Sequence, residues 1–106
     1  MDNKEMTEKI ILSFLMHTPS LLFDDKYPIK AKDFSKKVYK QMYSAMLNLY
    51  ARGNTDIQPQ EVIMQIGKSA SAFKEFQEAR GEGLLNEINN LNYNAYDYDI
   101  QYSNLK

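Results

Sequence analysis

Gly67-Lys68-Ser69 carries the last three residues of a phosphate-binding loop. Such a loop wraps phosphates in backbone amides, so it needs another glycine five positions earlier and a strand leading into it. Val62 holds that earlier position, and the residues before Gly67 read as helix. A helix end accounts for the triplet better, with Gly67 as the stop and Lys68 near the carbonyl terminus. His17 is the only histidine and cysteine is absent, so a zinc site has too few ligands. Ser13 and Ser20 flank His17 closely in sequence, a pattern that reads as a polar helix end rather than a nucleophile with its base. Asp24-Asp25 and Asp97-x-Asp99 lack a glycine-containing ligand loop and read as solvated charge. The sequence therefore assigns no catalytic residue, no metal ligand and no cofactor to this chain.

Two clusters point to binding instead. Lys26, Lys30, Lys32, Lys36, Lys37 and Lys40 crowd one stretch, offset by Asp24, Asp25 and Asp33 to a net of about +3. Tyr27, Phe34 and Tyr39 are interleaved, a mixture of charge and stacking rings that suits single-stranded nucleic acid. Lys30, Lys32, Lys36, Lys37 and Lys40 are the candidate contacts. The competing reading is a solvated helix face with lysine stems lying over apolar surface. Arginine is absent from the stretch and the rings fall on core-compatible positions, which favours that second reading. The other cluster is Tyr93, Tyr96, Tyr98, Ile100 and Tyr102, where Tyr96 with Ile100 and Tyr98 with Tyr102 are i,i+4 partners. These five are the candidate partner interface.

The elements that must carry these residues are helical. Asp2 with Glu5 has the form of a capping box. Met6, Ile10, Ile11, Phe14 and Leu15 then repeat at helical spacing and predict one wide apolar face. Thr18 is placed to cap a restart at Pro19, with Leu21, Leu22 and Phe23 tucked under the first helix. The stretch from Asp24 to Lys32 reads as a loop, since Pro28 biases Tyr27 away from helix. Asp33 is expected to cap the longest helix. In it Val38, Met42, Ala45 and Leu49 form a stripe that Tyr39, Tyr43, Met46 and Tyr50 widen. Gly53 supplies a left-handed stop. Asp56 or Gln58 opens the next helix, with Pro59 in its first turn and Val62, Ile63 and Ile66 on its buried side. Phe73 and Phe76 mark a short helix ending before a Gly81-Glu82-Gly83 turn, and Leu84, Leu85, Ile88 and Leu91 make the last clear stripe. No run alternates with period two, so no sheet is expected.

Length and composition agree with one domain of 106 residues, 43% apolar and 25% charged, with a net charge of −1. That charge does not predict strong nonspecific binding to phosphate backbones. The N-terminus carries Asp2, Glu5 and Glu8 and is no signal peptide. No stretch reaches the ~18 apolar residues that span a bilayer, and the lack of cysteine fits a cytoplasmic setting. The segment up to Lys106 reads as the start of another helix that stops at Lys106 without a cap, either a frayed C-terminal tail or a helix that continues.

The order of these elements resembles the N-terminal domain of bacterial and phage replicative DNA helicases of the DnaB type. Glu8, Ile11, Leu12, Leu15 and Pro19 are similar to the family's opening acidic residue, aliphatic pair, leucine and proline. Asp33-Phe34 resembles its Asp-Phe before the long helix. Tyr43, Ala45, Met46 and Leu49 ahead of Gly53, then Asp56 and Val62, continue the pattern. Asn54-Thr55-Asp56 departs from the family's Pro-Ile-Asp, and Gly81-Glu82-Gly83 from its Gly-Gly turn. The resemblance implies an all-α fold, a compact bundle of about five to six short helices over residues 1–92, with 93–106 as the start of a helical hairpin. It implies a non-catalytic module for hexamer collar assembly. Its partners would be other helicase subunits, primase and a helicase loader, with nucleic acid touched only weakly. ATP and Mg would belong to a separate C-terminal RecA-like motor domain. Two alternatives remain open: a standalone phage or plasmid protein that binds a host replication factor, and a small helical DNA-binding domain.

Overall fold

The computed structural model describes residues 3–106, so the expected Asp2–Glu5 capping box lies partly outside the described residues. Six α-helices follow one another: α1 (Asn3–His17), α2 (Lys37–Ala51), α3 (Pro59–Ile66), α4 (Ala70–Glu78), α5 (Gly81–Asn89) and α6 (Tyr98–Leu105). Short 3-10 turns cover Pro19–Phe23, Ala31–Asp33 and Tyr93–Ala95. No strand occurs among the described residues.

α1 is the axis of the fold. It packs against α2, α5, α6 and the turns at Pro19–Phe23 and Tyr93–Ala95. The sequence pattern predicts one apolar face, yet Thr7, Glu8, Lys9, Ile10, Ile11, Leu12, Ser13, Leu15 and Met16 are all buried. The helix is enclosed on nearly every side, so its polar residues face protein and need partners there. Glu8, at 0% exposure, accepts the Ser35 backbone N–H at 2.8 Å and the Ser35 hydroxyl at 2.7 Å. Lys9, 3% exposed, donates to the Glu87 carboxylate of α5. These two neighbours tie α1 to the start of α2 on one side and to α5 on the other.

α2 follows its stripe. Val38, Tyr39, Met42, Tyr43, Ala45, Met46 and Leu49 are buried, and Tyr50 is half-buried. Its start departs from expectation. Asp33 caps the preceding 3-10 turn, accepting the Lys30 N–H at 2.8 Å, and α2 begins at Lys37, with Phe34 buried in the corner between them. Among the described residues α1 and α2 run 15 residues each. Thr18 makes no side-chain cap, although Pro19 does open the turn. Leu22 goes under α1, but Phe23 is exposed and leans on Tyr50 with ring centroids 5.4 Å apart.

Gly53 stops α2 with φ +96°, a conformation that a Cβ would strain. Gln58 then opens α3: its N–H donates to the Glu61 carboxylate at 3.1 Å, and Pro59 sits in the first turn. Val62 and Ile66 are buried and Ile63 half-buried, as the stripe requires.

The Gly81-Glu82-Gly83 segment is not the turn. The reversal falls on Arg80, at φ 57°, and both glycines lie in the first turn of α5. Gly81 is there for space. A Cβ on it would stand 2.4–2.6 Å from three ring atoms of Phe76, itself 1% exposed. A Cβ on Gly83 would meet nothing within 4 Å. Alanine at these two positions should therefore act with opposite sign. Gly81→Ala is expected to destabilise the domain by about 1–3 kcal/mol through overpacking. Gly83→Ala should stabilise it by up to ~1 kcal/mol through helix propensity. Urea titrations of both variants test this, and equal effects would place the close contact elsewhere.

Candidate interaction site

The tail from Tyr93 to Lys106 folds back onto α1 and packs against the core. Leu105 is buried at 3% exposure and joins the core, and Tyr98 and Tyr102 pack against it. An aromatic seam accounts for this. Phe14 of α1 meets Tyr93 and Tyr98 edge-on, with centroids 5.1 and 5.0 Å apart. Tyr27 does the same to Tyr98 and Tyr102, at 4.8 and 5.2 Å. His17 stacks on Tyr93 at 4.6 Å and bonds to the Asn89 carbonyl through Nε2 at 3.0 Å. Such ring pairs each add roughly 0.5–1.5 kcal/mol beyond area burial.

Polar bonds close the rim of this seam. The Tyr102 hydroxyl donates to the Pro28 carbonyl at 2.6 Å, and the Tyr27 hydroxyl donates to Asp99. Lys4 Nζ reaches the Leu105 carbonyl at 2.7 Å. Lys106 reaches Asp33 at 2.9 Å. Asp97 caps the start of α6 by accepting the Ile100 N–H at 3.3 Å.

Of the five tail residues expected at a partner interface, three face inward. Tyr93, Tyr98 and Tyr102 are half-buried in the seam, while Tyr96 is 41% and Ile100 59% exposed. Tyr96 also borders an open groove of about 470 Å³ along α1 and α6, floored by Met6, Thr7 and Ile10. Of the two expected i,i+4 pairs, Tyr98 and Tyr102 lie on α6 with their rings stacked 6.4 Å apart, whereas Tyr96 is extended backbone ahead of α6 and so is not helically paired with Ile100.

The lysine stretch is partly neutralised. Lys36 bonds Glu5 at 3.0 Å and Lys37 bonds Glu75 at 3.1 Å. Lys30 and Lys32 are exposed and Lys40 half-buried. The expected stacking rings turn inward, with Phe34 and Tyr39 at 1% and 0% exposure. At Gly67-Lys68-Ser69 the chain passes from α3 to α4, and Ser69 caps α4 by accepting the Ala72 N–H at 3.3 Å. Among the described residues no group of three or more His, Cys, Asp or Glu could hold a metal ion. Nor is any helix there long and apolar enough to cross a membrane.

Residues 1–98 match the model of the DnaB-like helicase N terminal domain family, and the chain belongs to that family. It is thus a replicative-helicase N-terminal region with an all-α fold. Comparison with curated proteins and with solved structures gave no significant match.

Two carboxylates under this surface predict its response to acid. Glu5 is held below the usual range by the Tyr39 hydroxyl, at 2.6 Å, and by Lys36. For Asp33, burial acts to raise the value, but the Lys30 N–H and the Lys106 ammonium outweigh it and the net shift is downward. A lowered folded value gives stability that is present above the unfolded value and lost as pH falls through the folded one. The melting temperature should therefore hold from neutral pH and fall below about pH 4. A Glu5→Gln, Asp33→Asn double variant should melt lower than wild type near neutrality and lose less on acidification. Circular-dichroism melts across that range test it, and parallel losses in the two proteins would contradict it.

Proposed function

We propose that this domain is an assembly and partner-docking module of a replicative helicase, joining helicase subunits into a collar and offering a surface to primase or a helicase loader. The family match over residues 1–98 carries the reading. Exposed Tyr96, which lines an open groove with Gln101 and Asn104, and exposed Ile100 on α6 support a protein-binding use of this side of the domain. A ring and an aliphatic residue left exposed among polar side chains have the make-up of a small interface centre with a polar edge. Catalysis is assigned to another part of the helicase, with ATP and Mg bound there. Nucleic acid would meet this domain only weakly, through Lys30 and Lys32, because Lys36 and Lys37 already face Glu5 and Glu75.

Ile100→Asp and Tyr96→Ala probe the proposal at positions outside the core. Calorimetric titration of the chain with the primase from the same genome, and sedimentation of the chain alone, supply the readouts. Wild type should show saturable association in at least one of them. Each variant should weaken it about tenfold, the loss typical of a central interface residue, with an unchanged melting temperature. Absence of association with both primase and further copies of the chain would overturn the docking role. Full association in both variants would move the interface away from α6.

A further inference from the structure

An aromatic seam holds the inner face of α6, and polar rim bonds that water can replace hold its edge. Leu105 is its only fully buried side chain. The rim bonds of Tyr102, Tyr27 and Lys106 all lie at exposed positions, where each adds little net stability. Two observations weigh against tight docking. The Tyr98 hydroxyl is sealed from solvent with no hydrogen-bond partner, and its neighbours are the rings of Phe14, Tyr27 and Tyr102. A buried donor left unpaired carries the desolvation cost of that group, which is relieved on exposure. Separately, the α1–α6 seam is incompletely filled, as the groove of about 470 Å³ lined by Met6, Thr7, Ile10, Tyr96 and Gln101 shows.

We propose that α6 is a strap that releases from α1 as one unit while α1 to α5 stay folded. The core beneath keeps its own ties: Glu8 to Ser35, Lys9 to Glu87, and Tyr43 to the Ile29 carbonyl at 2.8 Å. None of these passes through α6. Lys4 and Asp33 form a catch at the C-terminal end of α6, away from its hinge, since Lys4 holds both the Leu105 and Asp33 carbonyls and Asp33 holds Lys106. Opening is thereby coupled to the turn that precedes α2. Release needs no partner and stands apart from the docking role proposed above.

Native-state hydrogen exchange on the 106-residue chain, read by NMR, tests the strap. The amides of Gln101 to Lys106 should exchange at one common protection, at least about a hundredfold faster than buried amides of α1 and α2. Tyr98→Phe keeps the ring and removes the orphaned hydroxyl, so it should slow α6 exchange by about fivefold or more. Leu105→Ala should speed α6 exchange and leave α2 amides unchanged. Three results would overturn the proposal. One is exchange of α6 together with α1 in global unfolding. Another is a graded loss of protection from Lys106 inward, the mark of simple fraying. The third is α6 exchange that is unchanged or faster in Tyr98→Phe, which would mean that the hydroxyl is satisfied in the docked state.

Discussion

The carboxylate of Glu8 is sealed from solvent, and Ser35 supplies donors to both of its oxygens, one from the backbone and one from the hydroxyl. A carboxyl group in that position is tolerable only while its hydrogen-bond partners stay in place, because a buried polar group without them costs on the order of 1–3 kcal/mol. The bond therefore fixes where the chain turns after Phe34 and where α2 begins. α2 starts two residues beyond Ser35. Phe34 is driven into the core at this corner, and Tyr39 of the first turn of α2 reaches back to Glu5 on α1. One buried acid thus sets the register between the two longest elements.

From that register the outer elements take their places. α2 offers its stripe to α3 and α4, and the pair Lys9–Glu87 brings α5 against the opposite side of α1. The remaining side of α1, with Phe14 and His17, is left for the tyrosine-rich tail. The interior is thus ordered around one axis by a few polar ties, and α6 covers the remaining side of α1 through rings and rim bonds. A domain so built gives a rigid body with one adaptable edge, which suits an assembly module better than a reaction centre.

Much of this was legible in the sequence, and the failures have physical causes. The α2 stripe, the Gly53 stop and the Gln58-Pro59 start follow from helical periodicity and capping, which are local. The apolar face read on α1 (Met6, Ile10, Ile11, Phe14 and Leu15) leaves Glu8, Lys9 and Ser13 out, because a pattern reading assumes that a helix has a wet face. α1 has almost none, so their burial depends on three other elements covering it. Asp33 was misplaced by one element, since a cap residue before a helical run looks the same whether it serves that run or a short turn ahead of it. Gly81 reads as a turn residue, yet its purpose is contact with Phe76, a tertiary fact. The tyrosines of the tail announced a helix with aromatic neighbours but not its direction, which the seam with Phe14 and Tyr27 decides.

The ordering role of the buried acid can be measured directly with a double-mutant cycle on Glu8→Gln and Ser35→Ala, read by urea unfolding. Each change alone should destabilise the domain, and the pair together should cost less than their sum. The coupling should lie at about 1–3 kcal/mol, as for groups in one buried network. Additivity within ~0.5 kcal/mol would mean that Glu8 and Ser35 act independently and that the corner before α2 is held by packing of Phe34 alone.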